Sequence, residues 1–416
     1  MNMRRNTVLF LVLLWLWSPG VWAGIADAEN SSLSFPVVLD LVFAQHPALK
    51  TFREREKAVR FEAAQASRLK NPELSFTFED VFGSGEFSGI RSSETTLEIS
   101  QSLPLFGQRE KRRQAILARK KVLEAAGEEA RLLLFRETAL AFVETLYARH
   151  RATLYEELLS LSRKLLAVSE AKFLAGKIPE TEKIRAEIVV ADTETRLRNA
   201  REAYRSALRR LARLWGGTPP SDVRGDFFRR KDFFLKGLPK DHPRLKRFQA
   251  EVRRLEKEIE RARAEALPEI TFSSGVRFYN ESDERTFVFG LSLPLPLLNR
   301  NLDRIASLQQ KITTTKLDLQ AERWNLSRKM ERVRSELRRV EEEIRTLERQ
   351  LLPRARDIYR RNLEAYRLGK AEFLRVLDAQ RTLFELRLSR LEAYRRYHRL
   401  QAEALFLMAR IEKDLF

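Results

Sequence analysis

The sequence contains no cysteine. Disulfides are therefore excluded, as is a thiol-linked lipid anchor at a mature N-terminus. Histidine is scarce as well, and His46, His150, His242 and His398 do not fall at the spacing of a metal-ligand set. His46 and His242 each precede a proline at matching places in the chain, which favours a structural role. No glycine-rich phosphate loop and no nucleophile–base pair is found. The chain reads as a non-enzyme, with no catalytic residue, no cofactor and no resident metal. Glycine and proline number only 15 and 14 and cluster in a few places, which leaves long intervals suited to long helices. Past the N-terminus, no apolar run approaches the roughly 20 residues of a membrane-spanning helix.

The first residues carry another pattern. Arg4 and Arg5 precede an apolar run from Val8 to Trp17, and small residues lead to Ala23 and Gly24. A positive end, a short apolar core and a small-residue site make a secretory signal, with cleavage expected after Ala23. The alternative is a membrane anchor, for which about ten apolar residues are few. The remaining composition, 44% hydrophobic and 33% charged, excludes a helical membrane bundle and a disordered chain. The net charge is +20, but the signs alternate residue by residue, as in "ERVRSELRRVEEEIRTLERQ". That is the pattern of solvated, ion-paired helix faces, and no nucleic-acid partner is expected.

The chain repeats itself. "HPALK" at 46–50 returns as "HPRLK" at 242–246, and "NPELSFTFED" at 71–80 returns as "LPEITFSSGV" at 267–276, both 196 residues on. "LPLFGQ" at 103–108 matches "LPLLNR" at 295–300, and "FLAGK" at 173–177 matches "YRLGK" at 366–370, at offsets of 192 and 193. Ordered landmarks at near-constant spacing indicate two copies of one unit. The expected organisation is an export signal at 1–23, a first repeat at 24–214, a linker at 215–239 and a second repeat at 240–416.

Each copy reads as a helix (about 37–70, then about 240–266), two strands, a long helical rod and a returning helix (about 179–214, then about 371–413). The rods, Gln108 to Ala175 and Leu298 to Leu368, hold one glycine and one proline respectively. At 1.5 Å per residue each spans roughly 100 Å, and Pro353 should kink the second. In each copy the two shorter helices together match the rod in length, so each rod is expected to pack against both, stacked end to end. The strands, near 74–80, 94–102, 270–278 and 286–293, alternate Leu, Phe and Ile with Ser, Thr and Glu. About ten residues suit a tilted strand crossing a bilayer. Four strands are too few to close around water, because single-chain barrels begin at about eight. Either several chains contribute to one barrel, or the strands are soluble hairpins packed on the helices. In the first case Pro104 and Gly107, then Pro294, Pro296 and Asn299, mark the handover from membrane strand to aqueous rod.

"ISQSLPLFGQREKR", "PLPLLNRN", "YRLGKAEFLRVLDAQRTLFELR" and the duplicated unit resemble the TolC-like outer membrane efflux proteins over essentially the whole mature chain. The flavour is that of the heavy-metal branch, although the lipidated cysteine of some members is absent. The resemblance implies a mainly α fold with a small β part. It would be a trimeric α-helical barrel of coiled-coil-like hairpins continued by a 12-stranded transmembrane β-barrel, four strands per chain. It implies a homotrimer in outer membrane lipid, extending into the periplasm of a Gram-negative bacterium. The partners would be a periplasmic adaptor and an inner membrane transporter of the RND type. The implied function is the passive exit duct of a tripartite pump. Heavy-metal cations are one cargo; drug efflux and type I protein secretion are others, and a pore-free periplasmic scaffold is the alternative outside the class. The resemblance also places the turns at 173–183 and 366–380 at a periplasmic tip. Leu174, Gly176, Leu368 and Gly369 are candidates to dock the adaptor, and Glu180, Glu182, Glu372 and Asp378 are candidates for an inward acidic ring, since carboxylate rings favour cations. The competing reading of Glu180 and Glu182 is a helix start interacting with the dipole.

Overall fold

The computed structural model describes residues 32–231 and 237–416; the expected export signal and cleavage site lie outside them. The first repeat contains β1 (Ser32–Ser34), α1 (Phe35–Gln45), α2 (Pro47–Ala66), β2 (Glu73–Glu79), β3 (Glu94–Leu103), α3 (Gln108–Leu174) and α4 (Glu180–Ala212). After β4 (Asp222–Arg224), the second contains α5 (Pro243–Glu265), β5 (Ile270–Tyr279), β6 (Glu284–Ser292), α6 (Leu302–Thr346), α7 (Leu352–Arg367) and α8 (Phe373–Leu407). Among the described residues no helix is long and apolar enough to cross a membrane.

The first expected helix is broken in two. Pro47 has no N–H and drives the residue before it out of the helical region, so His46 sits at φ −61°, ψ 125°. The imidazole then caps α2: Ala48 N–H donates to His46 Nδ1 at 3.2 Å. The second repeat does the same for α5, with Arg244 N–H donating to His242 Nδ1 at 3.2 Å. "HP" is therefore a helix-starting device in both copies.

The 67-residue α3 is flanked as its length requires. Near its start α2 runs antiparallel to it, with Arg109 bonded to the Ser67 carbonyl and Arg119 paired with Glu62 at 2.7 Å. Near its end α4 does so, through Arg201–Glu156 and Arg163–Glu194, both 2.7 Å. In the second repeat α5 covers the start of α6, where Arg304 meets Glu265 at 2.9 Å, and α8 covers α7 and the end of α6. The deformation expected at Pro353 lies just before it. Residues Leu347–Leu351 form a π-helical turn, which widens the helix where the carbonyl four residues before Pro353 has no donor to receive.

The largest apolar cluster sits at the waist, where both termini of the described chain and the linker converge. Phe35 packs edge-on against Phe135, Phe142 and Phe416. Beyond the four expected strands, two short ones are present: β1 and β4 pair in parallel, Ser32 opposite Asp222, so the linker is tied to the first repeat. His398 is buried here, with Nε2 2.9 Å from the Phe227 carbonyl. Burial lowers the pKa of His398 and of His242, so both favour the neutral ring. For a depressed histidine, stability is complete above the unfolded value near 6.5 and is lost as pH falls below it. Thermal unfolding followed from about pH 7.5 to about pH 5 should show a midpoint falling by roughly several degrees, with His398→Gln flattening the curve. A midpoint constant over that range would contradict the assignment.

Candidate channel surfaces

The four long strands form one antiparallel sheet in the order β2-β3-β5-β6. The hairpins of the two repeats meet at β3 and β5, with Leu97 opposite Val276 and Ile99 opposite Ser274. The register sorts every side chain to one of two faces. One face carries Leu74, Phe76, Phe78, Leu97, Ile99, Phe272, Val276, Phe278, Phe287, Phe289 and Leu291. It is bare, with Phe287 and Phe289 each 78% exposed. Its one charged residue, Arg285, lies at the end far from the helices, opposite Phe278. The other face carries Ser, Thr, Gly and carboxylates, among them Glu79, Glu94 and Glu98. Beyond β6, Leu293, Leu295 and Leu297 prolong the alternation, all exposed, but Pro294 and Pro296 lack the donors to extend the ladder. β2 and β6 are edge strands, each with one side of its backbone unpaired in the single chain.

At the opposite end of the sheet the strands turn into rods. Gly107 (φ 78°) precedes α3 and Asn301 (φ 57°) precedes α6, both left-handed. Asn299, the position expected to mark the second handover, instead accepts a hydrogen bond from Asn301 N–H at 3.0 Å. Asparagine tolerates the left-handed region better than most residues, and the Asn301 amide also donates to the Ala262 carbonyl at 3.0 Å. Gln108, 1% exposed, accepts from Phe106 N–H at 3.0 Å and donates to the Pro268 carbonyl at 3.3 Å, joining the two repeats. Beside it Glu269 receives Lys70 and Arg112, each at 2.7 Å, and Ser102 at 3.2 Å. The hydrogen bond from Lys70, outweighing partial burial and aided by Arg112, holds this carboxyl below its usual range.

At the far end of the helices the two hairpin turns lie side by side. Gly176 (φ 67°) and Gly369 (φ 77°) reverse the chain with one hydrogen-bond scheme. Gly176 N–H donates to Phe173 and Lys177 N–H to Lys172; Gly369 N–H donates to Tyr366 and Lys370 N–H to Ala365. This is a Schellman closure, used twice. Leu174 and Leu368 stand at the apices, 84% and 65% exposed. The Lys172 ammonium joins the turns, lying 3.9 Å from the Tyr366 ring centre and bonding the Tyr366 carbonyl. Glu180 and Glu182 occupy the first turn of α4, and Glu372 is the N-cap of α8 with no side-chain cap bond. Asp378 is exposed, further along α8.

The sequence profile described as "Outer membrane efflux protein" matches residues 38–217 and 238–407, one segment per repeat. The chain belongs to the outer membrane efflux protein family. Among its relatives, the cobalt-zinc-cadmium resistance protein CzcC of Cupriavidus metallidurans is 25% identical over 332 residues, covering 78% of this chain and 77% of that one. The nickel-cobalt-cadmium resistance protein NccC of Alcaligenes xylosoxydans xylosoxydans is 25% identical over 299 residues, 70% of this chain and 68% of that one. The fold matches the crystal structure of CusC with a TM-score of 0.73 at 16% identity, covering 98% of each chain. It matches the open state of the Neisseria gonorrhoeae MtrE outer membrane channel with a TM-score of 0.72 at 17% identity, covering 92% of this chain and 90% of that one.

As an outer membrane efflux protein, the chain is a conduit of the outer membrane that works with pump partners, not an enzyme. Its four long strands and the two helix-reversing turns at Gly176 and Gly369 fall where the sequence places them. Asn301, Gln108, Glu269 and Arg277 (which bridges Glu79 and Glu94 on the polar sheet face) lie outside the residues that sequence reasoning selects. The repeat alignment sets Asn299 opposite Gly107, so Asn301 was not readable from it; Arg277 was readable as the lone cation on the polar register of β5. A glutamine at a helix start and a glutamate before a strand carry no such signal. Glu269→Gln removes the charge that two cations share, and should destabilise the fold by about 1–3 kcal/mol at neutral pH. Because the Glu269 pKa is depressed, its contribution holds above about 4.5 and is lost as pH falls through the folded value. Denaturant unfolding of wild type and variant should therefore converge in acid; a gap that persists there would assign the effect to packing.

Proposed function

We propose that three copies of this chain close their sheets into a 12-stranded barrel above a helical tunnel, forming the exit duct of a tripartite pump for divalent heavy-metal cations. One observation carries this reading: a four-stranded sheet with a phenylalanine-rich face, a carboxylate-bearing face and two open edges. In lipid each unpaired backbone group costs several kcal/mol, so an open sheet is excluded there and a closed one is not. Neighbouring copies supply the pairing, β6 of one to β2 of the next, with the apolar face to lipid and the polar face to water. The pore-free scaffold has no use for such a sheet.

The metal cargo rests on kinship with proteins named for cobalt, zinc, cadmium and nickel resistance. The acids at the tip suit it. Glu180, Glu182 and Glu372 lie at two helix starts and Asp378 further along α8, and threefold repetition turns each into a ring that favours cations. Leu174 and Leu368, held at the apices by Gly176 and Gly369, offer an apolar contact to a periplasmic adaptor, which links the duct to an RND-type transporter in the inner membrane. Export begins with a signal cleaved after Ala23.

Deletion of the gene should lower survival in cobalt, nickel, zinc or cadmium while leaving resistance to drugs intact. Unchanged growth under every metal would defeat the cargo assignment. The purified chain should need detergent and run as a heat-sensitive oligomer about three times the monomer mass; a water-soluble monomer would defeat the duct itself. Asp378→Asn should lower the cation preference of single channels, and unaltered selectivity would remove Asp378 from the ring.

A further inference from the structure

On the polar face of the described sheet, Glu73, Glu79, Glu94, Glu98 and Glu284 share a single cation, Arg277. Arg277 stands level with Thr77, Thr96 and Thr286, one tier inside the row of Glu79, Glu94 and Glu284 at the end of the sheet far from the helices. Its guanidinium spans three strands. Nη1 lies 2.8 Å from Glu94 Oε2, Nη2 lies 3.3 Å from Glu79 Oε2, and Nε donates to Thr96 Oγ1 at 3.1 Å. A planar guanidinium can hold three such directions where an ammonium cannot. One tier further in, Glu98 faces Ser75, Gly275 and Val288, with no cation level with it.

We propose that Arg277 sets the ion selectivity of the outer half of the barrel. It cancels the charge of one of the two carboxylates it bridges, Glu79 and Glu94, and fixes the position of both, while Glu284 completes that row. The proposal rests on the reading that the polar face lines a pore. The trio carries one net negative charge per chain with Arg277 in place and two without it. Wall charge acts across about 30 Å in 0.01 M salt and about 3 Å in 1 M salt, so its effect on a wide lumen belongs to dilute salt.

The test is a charge series in planar bilayers, with the potassium-to-chloride permeability ratio read from reversal potentials. In about 10 mM salt, Arg277→Gln should raise the ratio about twofold or more. Adding Glu94→Gln to that variant restores the net charge of the trio and should return the ratio to wild type. Glu79→Gln with Glu94→Gln, leaving Arg277 alone, should take it below wild type. In about 1 M salt the four proteins should converge. A ratio that ignores the series, or that fails to return in the restored variant, overturns the proposal. Should Arg277→Gln not assemble into the heat-sensitive oligomer, the Glu79→Gln, Glu94→Gln protein decides alone, and an unchanged ratio is again fatal. Thr77→Cys, in a chain with no other cysteine, tests the pore separately. A water-soluble thiol reagent should cut its conductance. An unreactive Cys at this position would sink the pore reading, whereas a reactive one with a silent charge series would sink only the role of Arg277.

Discussion

The backbone along the free edges of β2 and β6 governs the rest of the structure. A sheet in water can leave an edge to solvent, but a sheet in hydrocarbon cannot. This sheet bears phenylalanine and leucine over most of one face and keeps its single charge on that face at the far end; in the proposed barrel that face meets lipid. Its edges must then meet other edges. The four strands run from seven to ten residues, near the roughly 9–11 of a tilted crossing. The helical portion has no comparable constraint. Its backbone is satisfied within each helix, and its faces mix Arg and Glu as a solvated surface does. The two halves therefore obey different solvents, and the boundary between them must be built accurately.

That boundary is where the polar locks concentrate. A strand becomes a rod only by reversing its handedness for one residue, and Gly107 and Asn301 supply that residue in the two repeats. The turns would be hinges if nothing held them. Gln108 reaches from the first repeat to a carbonyl of the second, and Glu269 gathers a lysine, an arginine and a serine contributed by the first repeat. Gln108 is buried and Glu269 half-buried, where a carboxylate shared by two cations is worth more than the exposed Arg–Glu pairs along the rods, whose individual contributions are small. Many surface pairs line this chain, but the few at the junction fix how sheet and rods sit together.

Periodicity and punctuation are the features that the sequence discloses. Strand alternation was legible because one face is largely apolar, and the hairpin turns were legible because glycine and lysine recur at the same offset. Local chemistry that competes with a long pattern was less visible. The helical pattern before residue 70 runs on through His46, yet Pro47 breaks the helix and the histidine becomes a cap. The pattern around Pro353 foretells a distortion, but the helix relaxes by a π turn upstream, where the missing donor is felt. The pairing of β1 with β4 has no sequence signal, since three-residue strands have no period. Asn299 and Asn301 lie in one turn with the same side chain, and only the backbone decides which of them adopts the left-handed conformation. The Glu269 cluster joins side chains from segments far apart in the chain, so no window of sequence contains it.

The net charge of +20 argues at first sight against a path for cations. It does not, because screening confines the influence of a surface charge to about 8 Å at physiological ionic strength. Arginines on solvated rod faces are invisible to an ion beyond that distance, and many are ion-paired with a glutamate or aspartate. What an ion in the proposed path meets is the charge of the wall at hand. Carboxylates collect on the polar face of the sheet, where Arg277 is the one cation beside five of them, and at the starts of α4 and α8, which carry Glu180, Glu182 and Glu372. A basic body with acidic wall segments is therefore consistent with cation passage, and the sign of the whole chain carries no information about the sign of its cargo.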